Sequence, residues 1–393
     1  MQYFFVLGNH QGISAAELAA VLSAPAGSFE LVDNQPIVLY NTDIEIKATE
    51  LIGKLGGTIK IGEVVEKAVN VSEILPNIKK IISNKAGAGK LLFGFSSYIE
   101  RLPLKQFAME TKKFFKELEI SSRWVVSRDP ILSSVVVEQN GLVDQGVEIS
   151  FFKHKKHIYI GKTLAVQPFK ELSRRDYGRP ARDDHSGMLP PKLAQIMINL
   201  AKFKEEKRLL DPFCGSGTII NEALLMGGST IYGSDLSEKA VADTKENYEW
   251  LLKIGKIKPK SVKIFNASAT SVSSKMHGQK VDVIVTEPFL GPQRGHLDLR
   301  KIIKELEGLY QKSLEDFSKI LAEGGRIVML WPVFWQKREP IKLNSHLAKN
   351  YKIIDPLTDD FASIRINKTE RKTLLYGREG QRVWREIVIL EKK

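Results

Sequence analysis

The sequence contains a single cysteine, Cys214, and no apolar run long enough to cross a membrane. One cysteine excludes an intramolecular disulfide, and no group of Cys and His residues has the spacing of a metal site. The N-terminus lacks the basic, apolar and small-residue order of a secretion signal. We therefore expect a soluble, cytoplasmic protein with no metal, and 393 residues are enough for two or three domains.

One short segment carries most of the chemical information. The apolar pair Leu209-Leu210 is followed by Asp211-Pro212-Phe213-Cys214-Gly215-Ser216-Gly217-Thr218, which predicts a strand ending in an acid, a tight turn and a helix start. Two glycines let the backbone approach a ligand closely, while amide groups at the helix start point toward it. An ordinary strand-to-helix turn does not need this whole string, so the segment favours a pocket for a nucleoside cofactor.

The class of cofactor follows from the charge of Asp211. A dinucleotide-binding Gly-x-Gly-x-x-Gly turn holds pyrophosphate, but Ile220 stands at the third glycine position and the Asp211 carboxylate would repel an anion. The expected ligand is the cationic nucleoside S-adenosylmethionine. Asp235 ends the next predicted strand, 24 positions after Asp211. An acid at this position can accept hydrogen bonds from the two hydroxyl groups of a ribose. Cys214 fits a small packing residue better than a nucleophile, because no basic partner is adjacent.

Positive charge is concentrated in two segments. Of a net charge of +13, residues 151–182 contribute +7 and residues 363–393 contribute +5, and aromatic residues are interleaved in both. A solvated basic surface is one explanation, but beside a methyl-donor site such clusters favour nucleic acid as the partner. Four arginines are predicted to contact the phosphate backbone: Arg174, Arg175, Arg179 and Arg182.

The predicted elements divide the chain into four segments. Residues 1–60 form a small α/β module, in which Ser14 and Glu17 make a capping box for a helix ending at Leu22. Residues 166–190, rich in Arg, Pro, Gly and Asp, are predicted to be a basic linker. Residues 61–165 form a second α/β unit with these elements: strands at 91–95, 133–138, 147–151 and 157–160, and helices at 72–84 and 104–118.

Residues 191–393 alternate strands and helices regularly. This alternation predicts a mainly parallel sheet with ligands at its carboxyl edge. Near the end of the chain, Thr373–Tyr376 and Glu386–Leu390 flank Gly377-Arg378-Glu379-Gly380, which predicts an antiparallel hairpin. The other predicted elements are helices at 191–203, 218–226, 237–253 and 298–322, and strands ending at Asp211 and Asp235 and at 262–266, 281–286 and 326–331.

The reacting group is predicted at Glu287-Pro288-Phe289, directly after the buried strand Val281–Thr286. An exocyclic amine on a nucleobase is a poor nucleophile, because its lone pair is delocalised into the ring. Methylating it requires acceptors for its two N–H bonds and an aromatic face that holds the base. We expect Glu287 and backbone carbonyls, one of them fixed by Pro288, to accept hydrogen bonds from the N–H groups of the amine. Phe289 is expected to pack on the base.

Together these motifs resemble the THUMP-containing tRNA (guanine-N2) methyltransferases, in particular the tRNA guanosine-10 type. The resemblance implies a Rossmann-like class I methyltransferase domain at 191–393 with seven strands, and a THUMP-like RNA-binding domain at 61–165. It also implies that the N-terminal region captures the tRNA acceptor end and that guanosine 10 is the target. The segments that carry the resemblance are Tyr3–Gly8, Gly187–Ala194, the Asp211 turn and Gly377–Ile387.

The resemblance completes the set of residues expected to contact the cofactor. It places Met188, Leu189 and Pro190 beside the methionine end, and Ser268 and Ala269 where the family binds the adenine amino group. The full predicted set is Met188, Leu189, Pro190, Asp211, Cys214, Gly215, Ser216, Gly217, Thr218, Asp235, Leu236, Ser268, Ala269 and Glu287.

Two motifs depart from the family pattern. The family's amine-binding tetrad reads Asp-Pro-Pro-Tyr, whereas this chain places Glu287 at the acid and Leu290 at the aromatic position. Either the stacking ring has moved to Phe289, or the target base differs. In the second motif, Ser268 replaces an aspartate and can offer the adenine amino group only a weaker, neutral hydrogen bond.

The predicted reaction is methyl transfer from S-adenosylmethionine to the exocyclic N2 amine of a guanosine in tRNA. Two alternatives stay open. A DNA adenine-N6 methyltransferase also needs a methyl-donor pocket beside a site for an amine on a base. A non-catalytic RNA-binding protein would tolerate the altered tetrad. The sequence does not decide the modified nucleotide, the number of methyl groups, the oligomeric state or the need for a small activator subunit.

Overall fold

The computed structural model describes most of the chain. Gly187 and the neighbouring linker residues 183–186 lie outside the described residues, as do residues 363–367 of the second basic segment. The described residues are 1–25, 27–84, 89–182, 188–255, 257, 261–292, 298–336, 339–357, 359–361 and 368–393.

The N-terminal part is built on one mixed sheet with the strand order β2-β3-β1-β4-β8-β7-β5-β6. Its strands are β1 (Gln2–Leu7), β2 (Phe29–Leu31), β3 (Ile37–Asn41), β4 (Thr58–Ala68), β5 (Leu91–Ser97), β6 (Ser122–Val125), β7 (Val147–His154) and β8 (His157–Val166). Its helices are α1 (Gln11–Leu22), α2 (Ala48–Ile52), α3 (Ile74–Ser83), α4 (Leu104–Glu117), α5 (Ser134–Gln139) and α6 (Phe169–Tyr177). The long strand β4 crosses the predicted boundary at residue 60, and α6 lies in the predicted linker. The division of the chain into four segments stays a prediction.

The predicted capping box at the first helix is wrong. Helix α1 begins at Gln11, so Ser14 lies inside it and its hydroxyl donates to the carbonyl of His10 at 3.1 Å. Glu17 is fully buried, and its carboxylate accepts hydrogen bonds from the backbone N–H groups of Gly56 and Gly57. The local pattern failed because this acid is used in tertiary packing, which sequence spacing does not encode.

The strand predicted at 133–138 is also wrong, because these residues begin helix α5. The Ser133 hydroxyl caps the helix by accepting from the N–H of Val136 at 3.3 Å. Val135, Val136 and Val137 favour a strand intrinsically, but only Val137 is buried in the helix. The cap and this packing override a weak propensity. Strand β6, which pairs with β5, was not predicted.

The second sheet has the strand order β11-β10-β9-β12-β13-β17-β15, with β14 and β16 added at β13 and β17. Strands β9 to β13 are parallel, and β17 is antiparallel to β13. Its strands are β9 (Arg208–Asp211), β10 (Thr230–Asp235), β11 (Ser261–Asn266), β12 (Val281–Thr286), β13 (Leu321–Gln336), β14 (Glu339–Lys342), β15 (Tyr351–Ile353), β16 (Leu374–Tyr376) and β17 (Val383–Lys392). Its helices are α7 (Pro191–Leu200), α8 (Thr218–Leu225), α9 (Glu238–Gly255) and α10 (Leu299–Ile320).

These elements confirm the predicted α/β class and the C-terminal antiparallel hairpin, which β16 and β17 form. The chain moves from β9 to β10 and β11 on one side, and to β12 and β13 on the other. The order therefore reverses between β9 and β12, where α/β proteins bind their ligands at the carboxyl edge. The acid-ending strands predicted from the sequence lie next to each other at this edge.

Helices cover both faces of the second sheet and create two cores. Apolar side chains of α7 and α8 pack on one face, and those of α10 pack on the other. Helix α1 joins the first of these cores through Ile13 and Ala16, so the N-terminal part packs directly against α7. Gly56 permits this contact, because a Cβ atom there would lie 2.0 Å from the carbonyl oxygen of Lys192. No helix among the described residues is both long and apolar enough to span a bilayer.

Candidate active site

Asp211 occupies the end of β9 and is almost completely buried. Its Oδ1 atom accepts a hydrogen bond of 2.7 Å from the Thr286 hydroxyl and one of 3.2 Å from the N–H of Phe213. Burial raises the pKa of Asp211 to about 7, and the nearby carboxylates of Asp235 and Glu287 add to the effect. Three acids from adjacent strands thus converge at this edge of the sheet, where the charges of Asp211 and Asp235 favour a cation.

The turn after Asp211 has the conformation expected from its glycines. Gly215 and Gly217 adopt φ values of +53° and +83°, which glycine tolerates and other residues avoid. A Cβ atom at Gly217 would lie 2.9 Å from the side chain of Thr244. Cys214 is buried in this turn, and burial raises its thiol pKa well above the usual range, so the thiol is a packing group rather than a reactive thiolate.

Asp235 lies at the end of β10 and faces the glycine turn. Its Oδ2 atom accepts from the N–H of Gly215 at 3.0 Å, and its Oδ1 atom accepts from the N–H of Ser237 at 2.9 Å. Each oxygen keeps a second lone pair for a ligand hydroxyl. The next residue, Leu236, has 73% of its surface exposed, which offers an apolar contact beside the acid.

The predicted adenine-side residues follow the end of β11. The Ser268 hydroxyl lies 2.9 Å from the Thr270 hydroxyl and accepts from the N–H of Thr270 at 3.3 Å. Ala269 is buried. Ser268 is therefore engaged in a local turn, which limits the acceptor capacity it can offer to a ligand.

Met188, Leu189 and Pro190 precede α7. Leu189 is buried in the core beneath the site, and the Pro190 carbonyl accepts from the first turn of the helix. Arg179 connects this segment to the glycine turn, because its guanidinium donates to the Met188 sulfur at 3.1 Å and to the Thr218 hydroxyl at 2.6 Å. The structure thus brings Met188 close to the start of α8.

Glu287 follows β12 and pairs with Arg385 of β17. The Nε atom of Arg385 donates to Oε1 of Glu287 at 2.5 Å. Burial raises the pKa of Glu287, while the charge and hydrogen bond of Arg385 oppose the rise. The sequence predicted Glu287 but gave no indication of Arg385, which is 98 positions away in the chain.

Phe289 and Leu290 of the altered tetrad differ in exposure. Leu290, at the family's aromatic position, is buried in the core, whereas the Phe289 ring projects outward with 60% of its surface exposed. The Phe289 carbonyl accepts a 2.8 Å hydrogen bond from the hydroxyl of Tyr310. Pro288, between them and Glu287, is buried. Phe289 is thus the aromatic ring of the tetrad that a base can reach.

The four arginines predicted to bind phosphate separate into two pairs. Arg175 makes a bidentate ion pair of 2.6 and 3.1 Å with the buried carboxylate of Glu222, and Arg179 is itself buried. These two side chains are not the phosphate contacts that the sequence predicted, because their guanidinium groups bind Glu222, Thr218 and Met188 inside the protein. Arg174 and Arg182 are exposed, so their contact with phosphate stays a prediction.

Comparison with known proteins places this arrangement among methyltransferases. Residues 179–343 match the family model described as an RMKL-like methyltransferase domain, and residues 95–246 match a model described as a DNA methylase. The crystal structure of TrmN from Thermus thermophilus has a TM-score of 0.54 and 18% sequence identity, and the match covers 100% of both chains. The class I methyltransferase fold is therefore confirmed.

Two relatives are both named tRNA (guanine(10)-N2)-dimethyltransferase. The protein of Methanocaldococcus jannaschii is 29% identical over 204 residues, which are 50% of this chain and 52% of the relative. The protein of Methanothermobacter thermautotrophicus is 34% identical over 148 residues, or 38% of this chain and 40% of the relative. The chain spans about half the length of the curated relatives it matches. These relatives confirm the resemblance to tRNA guanine-N2 methyltransferases.

Proposed function

We propose that this protein transfers a methyl group from S-adenosylmethionine to the exocyclic N2 amine of a guanosine in tRNA, with guanosine 10 as the target. The observation that carries the proposal is the convergence of Asp211, Asp235 and Glu287 at three adjacent strand ends beside the exposed ring of Phe289. One part of this edge suits a cationic nucleoside, and the adjoining part suits a planar base with an amine.

The residues present fit S-adenosylmethionine, which supplies an electrophilic methyl group on a positively charged sulfur. The ionised Asp211 carboxylate favours that charge, and Gly215 and Gly217 keep the turn free of side chains. Asp235 has lone pairs for the ribose hydroxyl groups, and exposed Leu236 offers an apolar surface for the adenine. Met188, Leu189 and Pro190 hold the methionine end, since Arg179 bonds both the Met188 sulfur and the Thr218 hydroxyl and so keeps this segment beside the glycine turn.

Glu287 and Phe289 act on the base. The Glu287 carboxylate accepts a hydrogen bond from one N–H group of the target amine, which helps to orient the nitrogen lone pair and stabilises positive charge as it develops on nitrogen. Stacking on Phe289 holds a base that has left its helix. Once the new C–N bond has formed, the nitrogen releases a proton to water, so Glu287 is not required as a proton-removing base.

Nucleic acid is the proposed macromolecular partner, and tRNA the particular one. Exposed Arg174 and Arg182 provide contacts for phosphate, and Asn247 links Ala181, beside Arg182, to Ser216 of the glycine turn, while the N-terminal part binds the acceptor end. Such contacts release counterions, so affinity falls steeply as salt rises. Affinity that does not change between low and high salt would contradict this part of the proposal. The cytoplasmic location stays a prediction.

A labelling experiment tests the proposal and its alternatives together. The purified protein is incubated with labelled S-adenosylmethionine and either total tRNA or duplex DNA, and the nucleosides are identified by mass spectrometry after digestion. N2-methylguanosine or its dimethyl form from tRNA supports the proposal, and the ratio of the two gives the number of methyl groups. N6-methyladenine from DNA alone would favour the DNA methylase alternative, which the second family model also favours. Failure to bind S-adenosylmethionine in calorimetry would favour a non-catalytic RNA-binding protein.

A further inference from the structure

The ion pair between Glu287 and Arg385 sits at the proposed base site. Both side chains are mostly but not completely covered, with 14% and 16% of their surfaces exposed. Only Nε of Arg385 has a protein partner among the described residues, and that partner is Oε1 of Glu287. The terminal guanidinium nitrogens are therefore left with N–H groups that a ligand can use.

The position of Arg385 in the sheet directs it toward this site. Strand β17 is separated from β12 by β13, and Arg385 lies opposite Pro332 in the β13 pairing. Side chains alternate between the two faces of a strand, so residues two positions apart share a face. Two positions from Asp211, Glu287 and Arg385 are Leu209, Val285 and Ile387, respectively. These three apolar residues belong to one core, on the face of the sheet covered by α7 and α8. The two acids and Arg385 therefore lie on that same face.

We propose that Arg385 determines base specificity by donating a hydrogen bond to O6 of the target guanine. The inference rests on the proposed function and extends it to the recognition of the base. The Watson–Crick edge of guanine presents two donors, N2–H and N1–H, followed by the acceptor O6. The carboxylate oxygens of Glu287 followed by a guanidinium nitrogen of Arg385 present two acceptors and then a donor. The two rows are complementary.

The acceptors of Glu287 and the donor of Arg385 do not match the hydrogen-bonding groups of adenine. The corresponding edge of adenine carries an amino donor at position 6 and an acceptor at N1, so the donor of Arg385 would meet another donor and the carboxylate would meet a lone pair. A buried polar group without a partner costs more than a good hydrogen bond gains. Arg385 therefore separates guanine from adenine in addition to neutralising Glu287.

A single-atom change in the base tests this role. A tRNA is assembled from synthetic pieces so that the target guanosine is replaced by 6-thioguanosine, which keeps N1–H and the N2 amine but exchanges O6 for a poor acceptor. The native protein should methylate the thio base about tenfold more slowly than guanosine in single-turnover assays. For Arg385→Met, which has a side chain of similar length but no donor to offer O6, the ratio of the two rates should fall to the intrinsic reactivity ratio of the two bases. Intrinsic reactivity differences between the bases are shared by both proteins and cancel in this comparison.

Matched variants separate recognition from folding. Arg378→Met makes the same substitution at an exposed position of the same hairpin and should keep the native ratio. If Arg385→Met does not fold, Arg385→Lys carries the comparison, because its one compact ammonium lacks the separate donors with which Arg385 can hold Glu287 and O6 together, and its ratio should fall part of the way. A native ratio in the Arg385 variants, or equal rates for both bases in the native protein, would overturn the inference and leave the proposed function intact. No methylation of guanosine by the native protein would overturn both.

Discussion

The hydroxyl of Thr286 donates a 2.7 Å hydrogen bond to Oδ1 of Asp211 and joins the ends of the two strands between which the sheet order reverses. These residues are 75 positions apart in the chain. Because the bond favours the ionised form of a deeply buried acid, it helps to keep a negative charge at the place proposed for the sulfonium.

Replacing Thr286 with Val should weaken S-adenosylmethionine binding at neutral pH. Loss of the donor raises the pKa of Asp211 above its value of about 7, so at pH 7 most of the acid becomes neutral. We expect about a tenfold loss of affinity for the sulfonium cofactor, and a smaller loss for its uncharged product, S-adenosylhomocysteine. Raising the pH to about 9 should ionise Asp211 and restore much of the difference. Calorimetry with both ligands measures this, and Thr286→Ser, which keeps the hydroxyl, is the control. Equal losses for the two ligands would exclude an electrostatic role.

Replacing Arg175 with Ala should destabilise the fold. The variant leaves the carboxylate of Glu222 buried without its bidentate partner, which costs about 3–5 kcal/mol in comparable pairs. The unpaired acid gains a higher pKa, and its neutral form needs no cation. The loss should therefore be smaller at pH 5 than at pH 8. Urea unfolding at the two pH values measures it.

Replacing Arg174 with Ala is the matched control and a prediction in its own right. Arg174 is exposed and its guanidinium lies 6.0 Å from the centre of the Trp250 ring, so stability should change by less than about 0.5 kcal/mol. Binding of tRNA should weaken, and the slope of log affinity against log salt should decrease by about one. Filter binding over a range of salt concentrations measures both quantities. An unchanged salt slope would remove Arg174 from the RNA surface.

The methylation rate should fall in acid at a higher pH than an ordinary glutamate would produce. Burial raises the pKa of Glu287, and protonation removes the negative charge that stabilises the developing positive charge on nitrogen, so the rate rises with pH through that pKa. Glu287→Gln should be slower and should lose this acid limb. Arg385→Lys should retain the limb because the opposing charge remains. Single-turnover rates from about pH 5 to 9, measured with S-adenosylmethionine at a concentration that saturates the protein at every pH, give the profiles without a contribution from cofactor binding at Asp211. An acid limb that persists in Glu287→Gln belongs to another group.

Replacing Phe289 with Ala should impair the reaction with tRNA without destabilising the protein. The ring is 60% exposed, so its removal leaves no cavity in the core. Loss of one base stack costs about 1–3 kcal/mol, which corresponds to a decrease in kcat/KM of about 5-fold to 150-fold. Binding of S-adenosylhomocysteine should not change, and Phe289→Tyr should retain most activity. If Leu290→Ala lowers activity without loss of stability and Phe289→Ala does not, the base stacks elsewhere.

Most of the cofactor side of the site could be predicted from the sequence. Asp211, Gly215, Gly217 and Asp235 lie where they were expected, because a strand, a tight turn and a helix start are determined by neighbouring residues. The same local reasoning failed at 133–138 and at Ser14. In those cases, a helix cap and the packing of nearby side chains decided the outcome.

The sequence by itself determined the class of fold and the acid-and-glycine turn, since side-chain periodicity and positive φ angles are properties of short segments. Tertiary structure alone decided which charged side chains face a ligand and which are paired with other groups inside the protein. Arg174 and Arg175 are adjacent in the chain, yet one is exposed and the other is locked to Glu222. Arg385 and Glu287 meet across 98 positions because strands β12, β13 and β17 are neighbours in the sheet. Burial and partner choice depend on strand order and helix packing, and these arise only when distant segments assemble.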